Sequence, residues 1–521
     1  MSKHPKCYTN LVERAREASR LHSIAALLGW DQETYMPPGG APARAEQAAL
    51  VARLHHEAST SAEMGELIAE CEADSSLMSG DTQEAANIRE LRRDYDKLTK
   101  LPASLVSALA ETTSQSQHAW KTARENSDFK AFKPWLEKVL DLSRQKAQCL
   151  SDGKGELYDA LIDTYEPGAK ASEIEAVFTP LREKLSTIIL NIRDNGTPPN
   201  TDVLDRSVPA SQQEAFGTFV AKSCGFDFTR GRLDVTTHPF CEGIAPGDTR
   251  LTTRYRESSW TDSLYGIMHE MGHGLYEQGL PEGEAHGRGD VPDQSGLPCG
   301  QAVSLGIHES QSRLWENAVG RSEAFWKWAL PHAKEMMGDV MADQTPESIG
   351  AAVNTAKPSL IRVEADEGTY NLHIMIRFEL ERALLSGDLS VADLPAAWNE
   401  RYRTFLGLDV PNDRVGCLQD VHWAFGLIGY FPTYTLGNLY GAQFWAAVRN
   451  EIPSLDTLIA AGEFSPLLTW LRDKIHTHGR RYTPNQLCER ATGKPVSDQP
   501  LLDYLTAKLY PVYGITQPSG V

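Results

Sequence analysis

The sequence predicts a mainly α-helical protein with one small antiparallel β-sheet, and three features of its composition support this fold class. Residues 8–30 repeat Leu, Ile and Ala at helical spacing between Arg and Glu. From 41 to about 193 the chain is rich in Ala, Leu, Glu and Lys and poor in Gly, which is typical of several long helices. Val, Thr, Leu and Arg nearly alternate in 232–240 and 248–255, so we expect two short antiparallel strands there.

The remaining elements follow in chain order. A Pro-Pro-Gly-Gly turn at 37–40 ends the first helix, and the composition of 195–213 predicts a loop. After the two strands, helical spacing returns in five segments: 259–279, 301 to about 319, 322–341, the stretch that follows Pro358, and the last part of the chain to about Lys508. The helices therefore dominate the chain on both sides of one short strand region.

The overall composition excludes some classes of partner. The chain has 70 acidic and 51 basic residues, a formal net charge of −19, which argues against nucleic acid or an anionic membrane as a partner. Its eight cysteines are scattered without a Cys-x-x-Cys pair, so we expect thiols rather than a disulfide framework. The N-terminus lacks the apolar core of a signal peptide and no run of eighteen apolar residues occurs. A cytoplasmic protein is the expectation.

One stretch, Ser259 to Gly279, carries the pattern His-Glu-x-x-His at His269, Glu270 and His273. Side chains four positions apart on a helix lie on the same face, so the two imidazoles can share one zinc ion. Glu270 is one position round the helix, where its carboxylate can reach a water molecule on that ion. The pattern predicts a catalytic metal site, with a chance occurrence of the three residues as the alternative.

The same stretch is expected to form an amphipathic helix. Ser259 with Asp262 three residues later predicts an N-cap, and Gly279 predicts the end of the helix. Apolar residues recur at helical spacing and would bury a second face, away from the histidines: Leu264, Met268, Met271 and Leu275.

A catalytic zinc ion usually has three protein ligands and one position for water, so a third ligand is needed. The long metzincin motif requires a histidine six residues after His273, and Gly279 occupies that position. The loop that follows offers three further donors: Glu282, Glu284 and His286. Because a rigid element holds a ligand better than a flexible loop, we prefer Glu309 on the next predicted helix, with a solvated surface glutamate as the alternative.

Six separated motifs, in order, resemble those of peptidase family M32, the thermostable-carboxypeptidase type of metallocarboxypeptidase. They are HPF at His238–Phe240, DxRxT at Asp248–Thr252, HExxH at His269–His273, HESQ at His308–Gln311, IRxxAD at Ile361–Asp366 and GxxQDxHW at Gly416–Trp423. The segments WDQETYMPPGG and GYFPTYTLGN are also similar to this family. Together these motifs span most of the chain.

The resemblance implies a nearly all-α, groove-shaped body akin to neurolysin and angiotensin-converting enzyme, usually as a homodimer. It implies removal of single residues from the free C-termini of peptides with zinc, or cobalt, as the metal. His269, His273 and Glu309 would bind the metal, and Glu270 would be the general acid and base. We expect one catalytic domain over 1–521, with a helical subdomain of about 1–194, a loop of about 195–213 and a metal-site subdomain of about 214–521.

Further site residues are candidates through their positions in these motifs. Tyr430, Tyr434 and His422 could donate to the oxyanion, with a packed aromatic core as the alternative for the tyrosines. His238 could contact substrate or hold the end of a strand. The planar fork of arginine suits the carboxylate of a peptide C-terminus. The candidates for substrate binding are Arg362 first, then Arg250 and Arg414, with surface ion pairs as the alternative, and Asp420 as a residue that shapes the end of the groove.

Two other functions remain open at this stage. The first is an endo-acting metallo-oligopeptidase on the same scaffold, which would also carry HExxH and a downstream glutamate. The second is a non-catalytic peptide-binding protein, and the intact Glu270 argues against it because binding alone needs no general base.

A last alternative concerns Asp366, which could orient a ligand histidine or form an ion pair.

Overall fold

The structure is a computed structural model that describes residues 4–282 and 292–516. It confirms the mainly α-helical fold. Among the described residues, no helix is long and apolar enough to cross a membrane. In chain order the α-helices are α1 (Lys6–Thr34), α2 (Ala41–Thr60), α3 (Ala62–Ala73), α4 (Ser75–Met78), α5 (Gln83–Thr99), α6 (Ala103–Asn126), α7 (Phe129–Leu150), α8 (Leu157–Ile162), α9 (Ala171–Asn195), α10 (Ala210–Ser223), α11 (Trp260–Glu277), α12 (Leu305–Arg313), α13 (Glu323–Met337), α14 (Pro346–Ala352), α15 (Glu367–Ser386), α16 (Leu394–Leu406), α17 (Pro432–Glu451), α18 (Leu455–Ala460), α19 (Ser465–Lys474), α20 (Pro484–Thr492) and α21 (Gln499–Val512).

The described chain packs into two compact units, each assembled from three separated segments. The first unit contains Met1–Thr99, Asn200–Val353 and Phe444–Pro495, and the second contains Lys100–Pro199, Asn354–Gln443 and Val496–Val521. This grouping differs from the linear subdivision at about 195–213, because helices that pack together come from distant parts of the chain. In the second unit, for example, α9 packs against both α15 and α21. The single catalytic domain over 1–521 stays a prediction.

The first unit contains the sheet, formed by β1 (Gly231–Val235), β2 (Cys241–Ala245) and β3 (Asp248–Thr253) in the order β1-β3-β2. β2 and β3 run antiparallel, whereas β1 and β3 run parallel, with Leu233 opposite Leu251. The sheet is therefore mixed.

The expected antiparallel pairing of 232–240 with 248–255 is wrong. A two-residue connection, Pro246-Gly247, makes β2 and β3 the hairpin, and Gly247 adopts the left-handed conformation that such a turn requires (φ 79°). β1 is left to pair with the opposite edge of β3. Alternation predicts that a segment is a strand, but it does not identify which neighbour the strand pairs with.

Helix α11 matches the predicted amphipathic helix, and its predicted apolar face is buried at Leu264, Met268, Met271 and Leu275. Ser259 occupies the N-cap position without a side-chain capping bond, and its carbonyl accepts from the Asp262 N–H at 3.2 Å. Gly279 lies beyond the end of the helix, and a Cβ there would collide with the His476 ring. Close packing, rather than a left-handed turn, therefore explains this glycine.

Candidate metal centre

Three donor atoms converge in the first unit, between α11 and α12. The Nε2 atoms of His269 and His273 each lie 3.5 Å from Oε2 of Glu309. All three possible ligand atoms lie within 4.8 Å of one another, and Glu309 is buried. The one-turn spacing of the histidines on α11 thus brings both imidazoles to the same carboxylate oxygen, as the sequence predicts.

A glycine on α11 allows α12 to come this close. A Cβ on Gly272 would meet the carbonyl oxygen of Gln311 and the Cα of Ser312 at 2.6 Å, and both are backbone atoms of α12. The Glu309 carboxylate is then held by its own helix: Arg313 Nε donates to Oε1 at 2.8 Å, and Ser312 Oγ donates to Oε2 at 3.1 Å. These two bonds aim Oε2 at the histidines.

His269 is oriented by a second glutamate. Its Nδ1 lies 2.9 Å from Oε2 of Glu316, which belongs to a π-helical segment, Leu314–Val319, that continues α12. Burial alone would raise the pKa of the Glu316 carboxyl, but Arg313 and His269 outweigh burial and hold the pKa well below its usual range. Glu316 is therefore a carboxylate that keeps Nε2 of His269 turned toward Glu309.

His273 is oriented by a histidine instead. Its Nδ1 lies 2.5 Å from Nδ1 of His308, and the Nε2 atom of His308 lies 2.7 Å from Oε1 of Glu277. Glu277 follows His273 by one turn of α11, and His308 precedes Glu309 on α12. Both ligand histidines therefore have a hydrogen-bonding partner on the nitrogen that faces away from Glu309.

The protonation states of the three donors fit a divalent cation. Burial and the neighbouring His308 lower the pKa of His273 to about 3, so this ring is neutral and can offer a lone pair. Burial opposes ionisation of Glu309, but Arg313 and His269 outweigh it and hold the pKa of this carboxyl well below its usual range. Burial would lower the pKa of His269, yet Glu309 and Glu316 raise it to about 9, so the site holds a proton that a cation would replace.

Glu270 differs from these donors because burial dominates its ionisation. Its side chain is buried, and burial raises the pKa to about 7, opposed by His269 and reinforced by Glu309. A carboxyl group with a pKa near neutrality can both take up and release a proton at physiological pH, which is what a general acid and base must do.

Two of the predicted substrate residues also lie in the first unit. Arg250, on β3, donates from Nε and Nη2 to the Asp248 carboxylate at 2.8 and 2.7 Å. Its guanidinium carbon lies 4.1 Å from the centroid of the buried Trp30 ring. Among the described residues its Nη1 has no hydrogen-bond partner. His238 is exposed in the connection between β1 and β2.

The second unit brings another group of predicted residues together around Asp420. Arg362 donates to Oδ1 of Asp420 from Nε at 2.9 Å and from Nη2 at 2.8 Å, and Nη1 donates to the Tyr370 hydroxyl at 3.0 Å. Arg377 occupies the other carboxylate oxygen at 2.5 Å. Burial would raise the pKa of Asp420, but the two arginines outweigh it and keep the group ionised. Every nitrogen of the Arg362 fork thus has a partner within the protein.

His422 and the two predicted tyrosines form an aromatic cluster in the same unit. The His422 ring centroid lies 5.5 Å from that of Tyr430 and 6.5 Å from that of Tyr434. Burial lowers the pKa of His422 to about 4, although Asp420 opposes this effect. In the described part of the chain, Nδ1 of His422 is buried without a hydrogen-bond partner.

The other predicted residues lie apart from these groups or outside the described residues. Arg414 is exposed in the segment between α16 and α17. Asp366 caps α15: its carboxylate accepts from the backbone N–H groups of Thr369 and Lys357, at 3.0 and 2.8 Å, and among the described residues it forms no ion pair. Glu282 is described but does not join the metal-ligand group, and Glu284 and His286 lie outside the described residues.

Sequence reasoning missed the partners of the two ligand histidines, although weak signals exist. Glu277 follows His273 by four residues and so shares its helix face. Glu316 follows Glu309 by seven residues, two helical turns, but the π-helical segment between them makes the exact direction of its side chain unpredictable from spacing. His308 adjoins Glu309, and adjacency in a helix does not predict that it reaches a residue of another helix.

The fold and this centre define the class of metal-dependent peptide hydrolases that carry HExxH on a helix and a glutamate on a later helix. Comparison with known proteins supplies the family. The family model for Carboxypeptidase Taq (M32) metallopeptidase matches residues 10–509, so the chain belongs to this family.

Relatives and solved structures agree with this assignment. The chain is 45% identical over 515 residues to Thermostable carboxypeptidase 1 of Thermus thermophilus, covering 97% of this chain and 99% of the relative. It is 35% identical over 498 residues to Carboxypeptidase 1 of Bacillus subtilis, with 96% and 97% covered. It resembles the crystal structure of an M32 carboxypeptidase from Deinococcus radiodurans with a TM-score of 0.93 and 42% identity, with 98% and 100% covered. The chain is accordingly a metal-dependent carboxypeptidase.

Proposed function

We propose that the enzyme releases single residues from the free C-termini of peptides, with a divalent ion held by His269, His273 and Glu309 and with Glu270 as general acid and base. The observation that carries the proposal is the convergence of the two Nε2 atoms and Oε2 of Glu309 beside a buried carboxyl group. A bound divalent ion there would lower the pKa of a water ligand and polarise the scissile carbonyl.

Glu270 supplies the proton transfers in this scheme. It takes the proton of the attacking water and later gives it to the leaving amine, and a pKa near 7 suits both directions. His422, Tyr430 and Tyr434 are proposed to assist as donors to the oxyanion, and His238 to contact the substrate. The neutral state of His422 at physiological pH supports a hydrogen-bonding role rather than a charged one.

Arg250 is our proposed receptor for the substrate carboxylate. Asp248 fixes two of its nitrogens and the Trp30 ring supports its flat face, while Nη1 has no partner among the described residues. Arg362 is less suited, because a substrate carboxylate would have to displace Tyr370 or Asp420 from it. We propose a supporting role in substrate binding for Arg362 and Asp420, and the exposed Arg414 stays a prediction.

Arg250→Ala should therefore raise KM at least tenfold on peptides with a free C-terminal carboxylate, because the charged hydrogen bond from Nη1 to that carboxylate is lost. Arg232→Ala is the matched control: Arg232 lies opposite Arg250 in the sheet, pairs with Asp234 and also packs on Trp30. Steady-state kinetics of both variants check this. Equal KM values for wild type and Arg250→Ala would exclude Arg250 as the carboxylate receptor.

Mass spectrometry of products from a peptide panel tests the proposed activity against its rivals. A ladder that shortens one residue at a time from the C-terminus is expected, and C-terminal amidation should abolish it. Internal fragments would instead indicate an endo-acting oligopeptidase on the same scaffold. No product from metal-loaded enzyme would indicate a peptide-binding protein.

We further propose zinc, with cobalt as a substitute, because two imidazole nitrogens and one carboxylate oxygen are donors that zinc takes in catalytic sites. Elemental analysis should give one ion per chain, and chelation followed by reloading should remove and restore activity.

A cytoplasmic homodimer completes the proposal, supported by the scattered cysteines and the family resemblance. Light scattering of the purified protein tests the dimer, and cell fractionation tests the compartment.

A further inference from the structure

Two side chains that the proposed catalytic scheme does not use, His308 and Glu277, lie behind His273 and form a chain of three with it. Nδ1 of His273 contacts Nδ1 of His308 at 2.5 Å, and Nε2 of His308 contacts Oε1 of Glu277 at 2.7 Å. The chain begins and ends on α11, because Glu277 follows His273 by one turn, and its middle member belongs to α12. It therefore joins the two helices that carry the metal ligands.

The positions of the hydrogen atoms along His273, His308 and Glu277 follow from which of their nitrogen and oxygen atoms donate and which accept. When Nε2 of His273 binds a metal ion, the ring hydrogen of His273 is on Nδ1, so Nδ1 of His273 donates to Nδ1 of His308. With its Nδ1 accepting, His308 has its hydrogen on Nε2 and donates it to Oε1 of Glu277. The only lone pair left to His273 is on Nε2, the atom that faces Glu309.

The environment of Glu277 holds it in this arrangement. Gly243 on the neighbouring strand β2 lies so close that a Cβ would contact Oε2 of Glu277, so the strand packs directly against the carboxylate. His269, by contrast, reaches its carboxylate partner Glu316 without an intervening residue. The two ligand histidines are thus oriented by chains of different length.

We propose that Glu277 is a positioning residue for the metal: acting through His308, it fixes the tautomer and the ring orientation of His273 and thereby sets how tightly the ion is held. This inference rests on the proposed metal site. Removing such outer partners of ligand histidines typically lowers metal affinity 10- to 100-fold.

The test measures zinc affinity of the full-length metal-free protein by competition with a chromophoric chelator. Glu277→Ala should bind zinc 10- to 100-fold more weakly than wild type. Glu277→Gln keeps the size and one acceptor oxygen but loses the charge, so its loss should be smaller. Glu242→Gln is the control, since Glu242 is a half-buried carboxyl group near Glu277 that is outside the chain of three, and its zinc affinity should match wild type.

A double-mutant cycle separates positioning through His308 from a general packing role. In His308→Gln, the amide oxygen can still accept from His273 but the link to Glu277 is broken. Adding Glu277→Ala to that background should therefore change affinity less than threefold. Thermal melts of the metal-free variants, compared with Glu242→Gln, report whether any loss reflects unfolding.

The outcomes are distinct. Affinity of Glu277→Ala within threefold of wild type, or an equal loss with and without His308, would overturn the proposed positioning chain while leaving the metal site intact. If Glu277→Ala does not fold, Glu277→Gln and His308→Gln decide, and wild-type affinity in both overturns the chain. Failure of the wild-type protein to bind one zinc ion per chain would instead overturn the proposed metal site.

Discussion

The pKa of Glu270 differs from those of the neighbouring carboxyl groups Glu309 and Glu316. It is adjacent to His269, yet its side chain is buried without the arginine partners that keep Glu309 and Glu316 ionised, so its pKa is raised to about 7 while theirs are lowered. The same residue type is thus suited to be an anionic ligand or a proton carrier according to which charges lie beside it.

Glu270→Gln should retain metal and lose activity by a factor of about 10² to 10⁴, because the amide fills the same volume but cannot take a proton. Metal content by elemental analysis and kcat on a peptide with a free C-terminus check the two halves of this expectation. Hydrolysis at the wild-type rate would show that another group is the base, and loss of metal would show that Glu270 has a ligand role.

Glu381 on α15 provides a prediction about pH and stability. It accepts hydrogen bonds from the Tyr158 hydroxyl, Trp423 Nε1 and the Gly429 N–H, at 2.6, 2.7 and 3.0 Å. Burial nevertheless raises its pKa to about 7, with these bonds opposing the shift. In the unfolded chain the pKa of a glutamate is about 4.3.

Because the folded-state pKa of Glu381 is the higher one, its contribution to stability is complete below about pH 4.3 and declines as pH rises toward 7. The free energy of unfolding of wild type, measured relative to Glu381→Gln, should fall by roughly 3 kcal/mol over this window and then stay level. Chemical denaturation at pH 5, 6, 7 and 8 measures the difference. A pH-independent difference would show that Glu381 is ionised throughout.

At the scale of elements, the candidate metal site depends on how closely α12 approaches α11. Gly272 permits the approach, and the π-helical segment Leu314–Val319 then turns Glu316 toward His269. Gly320, just after that segment, is less strictly required, because a Cβ there would meet Sδ of the flexible Met268 side chain at 2.5 Å. Gly272 is therefore the glycine that sets the distance between the helix that carries the histidines and the helix that carries Glu309.

Gly272→Ala should lower zinc affinity and activity at least tenfold, because the new methyl group would lie 2.6 Å from backbone atoms of α12 and must move Glu309 away from the histidines. Gly266→Ala, on the same helix, is the control. Its Cβ would meet only Thr253 Oγ1 at 3.8 Å, so it should keep wild-type affinity and gain up to about 1 kcal/mol of stability. Chelator competition and thermal melts measure both variants, and wild-type zinc affinity in Gly272→Ala would contradict this account.

At the scale of the whole molecule, neither compact unit is a continuous piece of sequence. In the second unit, the segment 100–199 packs against α15. The Tyr158 hydroxyl donates to Glu381 of α15, and the Phe178 ring lies 5.3 Å from the Phe378 ring of α15. Cutting the chain at the predicted loop would therefore separate the halves of this core.

A fragment of residues 1–194 should accordingly lack a cooperative thermal transition, because it exposes apolar surface that α15 covers. The matched control is the full-length protein cleaved at a protease site inserted between α9 and α10, in which all packing partners are still present, and it should melt cooperatively. Circular dichroism melts compare the two. A cooperative transition in the fragment alone would favour the linear subdivision.

The sequence by itself determined the features that depend on local spacing: the helical class, the buried face of α11, the shared face of His269 and His273, and the preference for Glu309 on a rigid helix. Periodicity encodes these features because neighbouring turns of a helix lie at fixed distances whatever surrounds them.

Only the tertiary structure decided which partners those residues meet. It paired β1 with β3 in parallel, placed Glu316 and His308 behind the ligand histidines, and filled the fork of Arg362 with Asp420 and Tyr370. Each of these contacts joins residues that are far apart in the chain or separated by an irregular turn. Such contacts depend on how whole elements pack, and no local pattern of residue types specifies that packing.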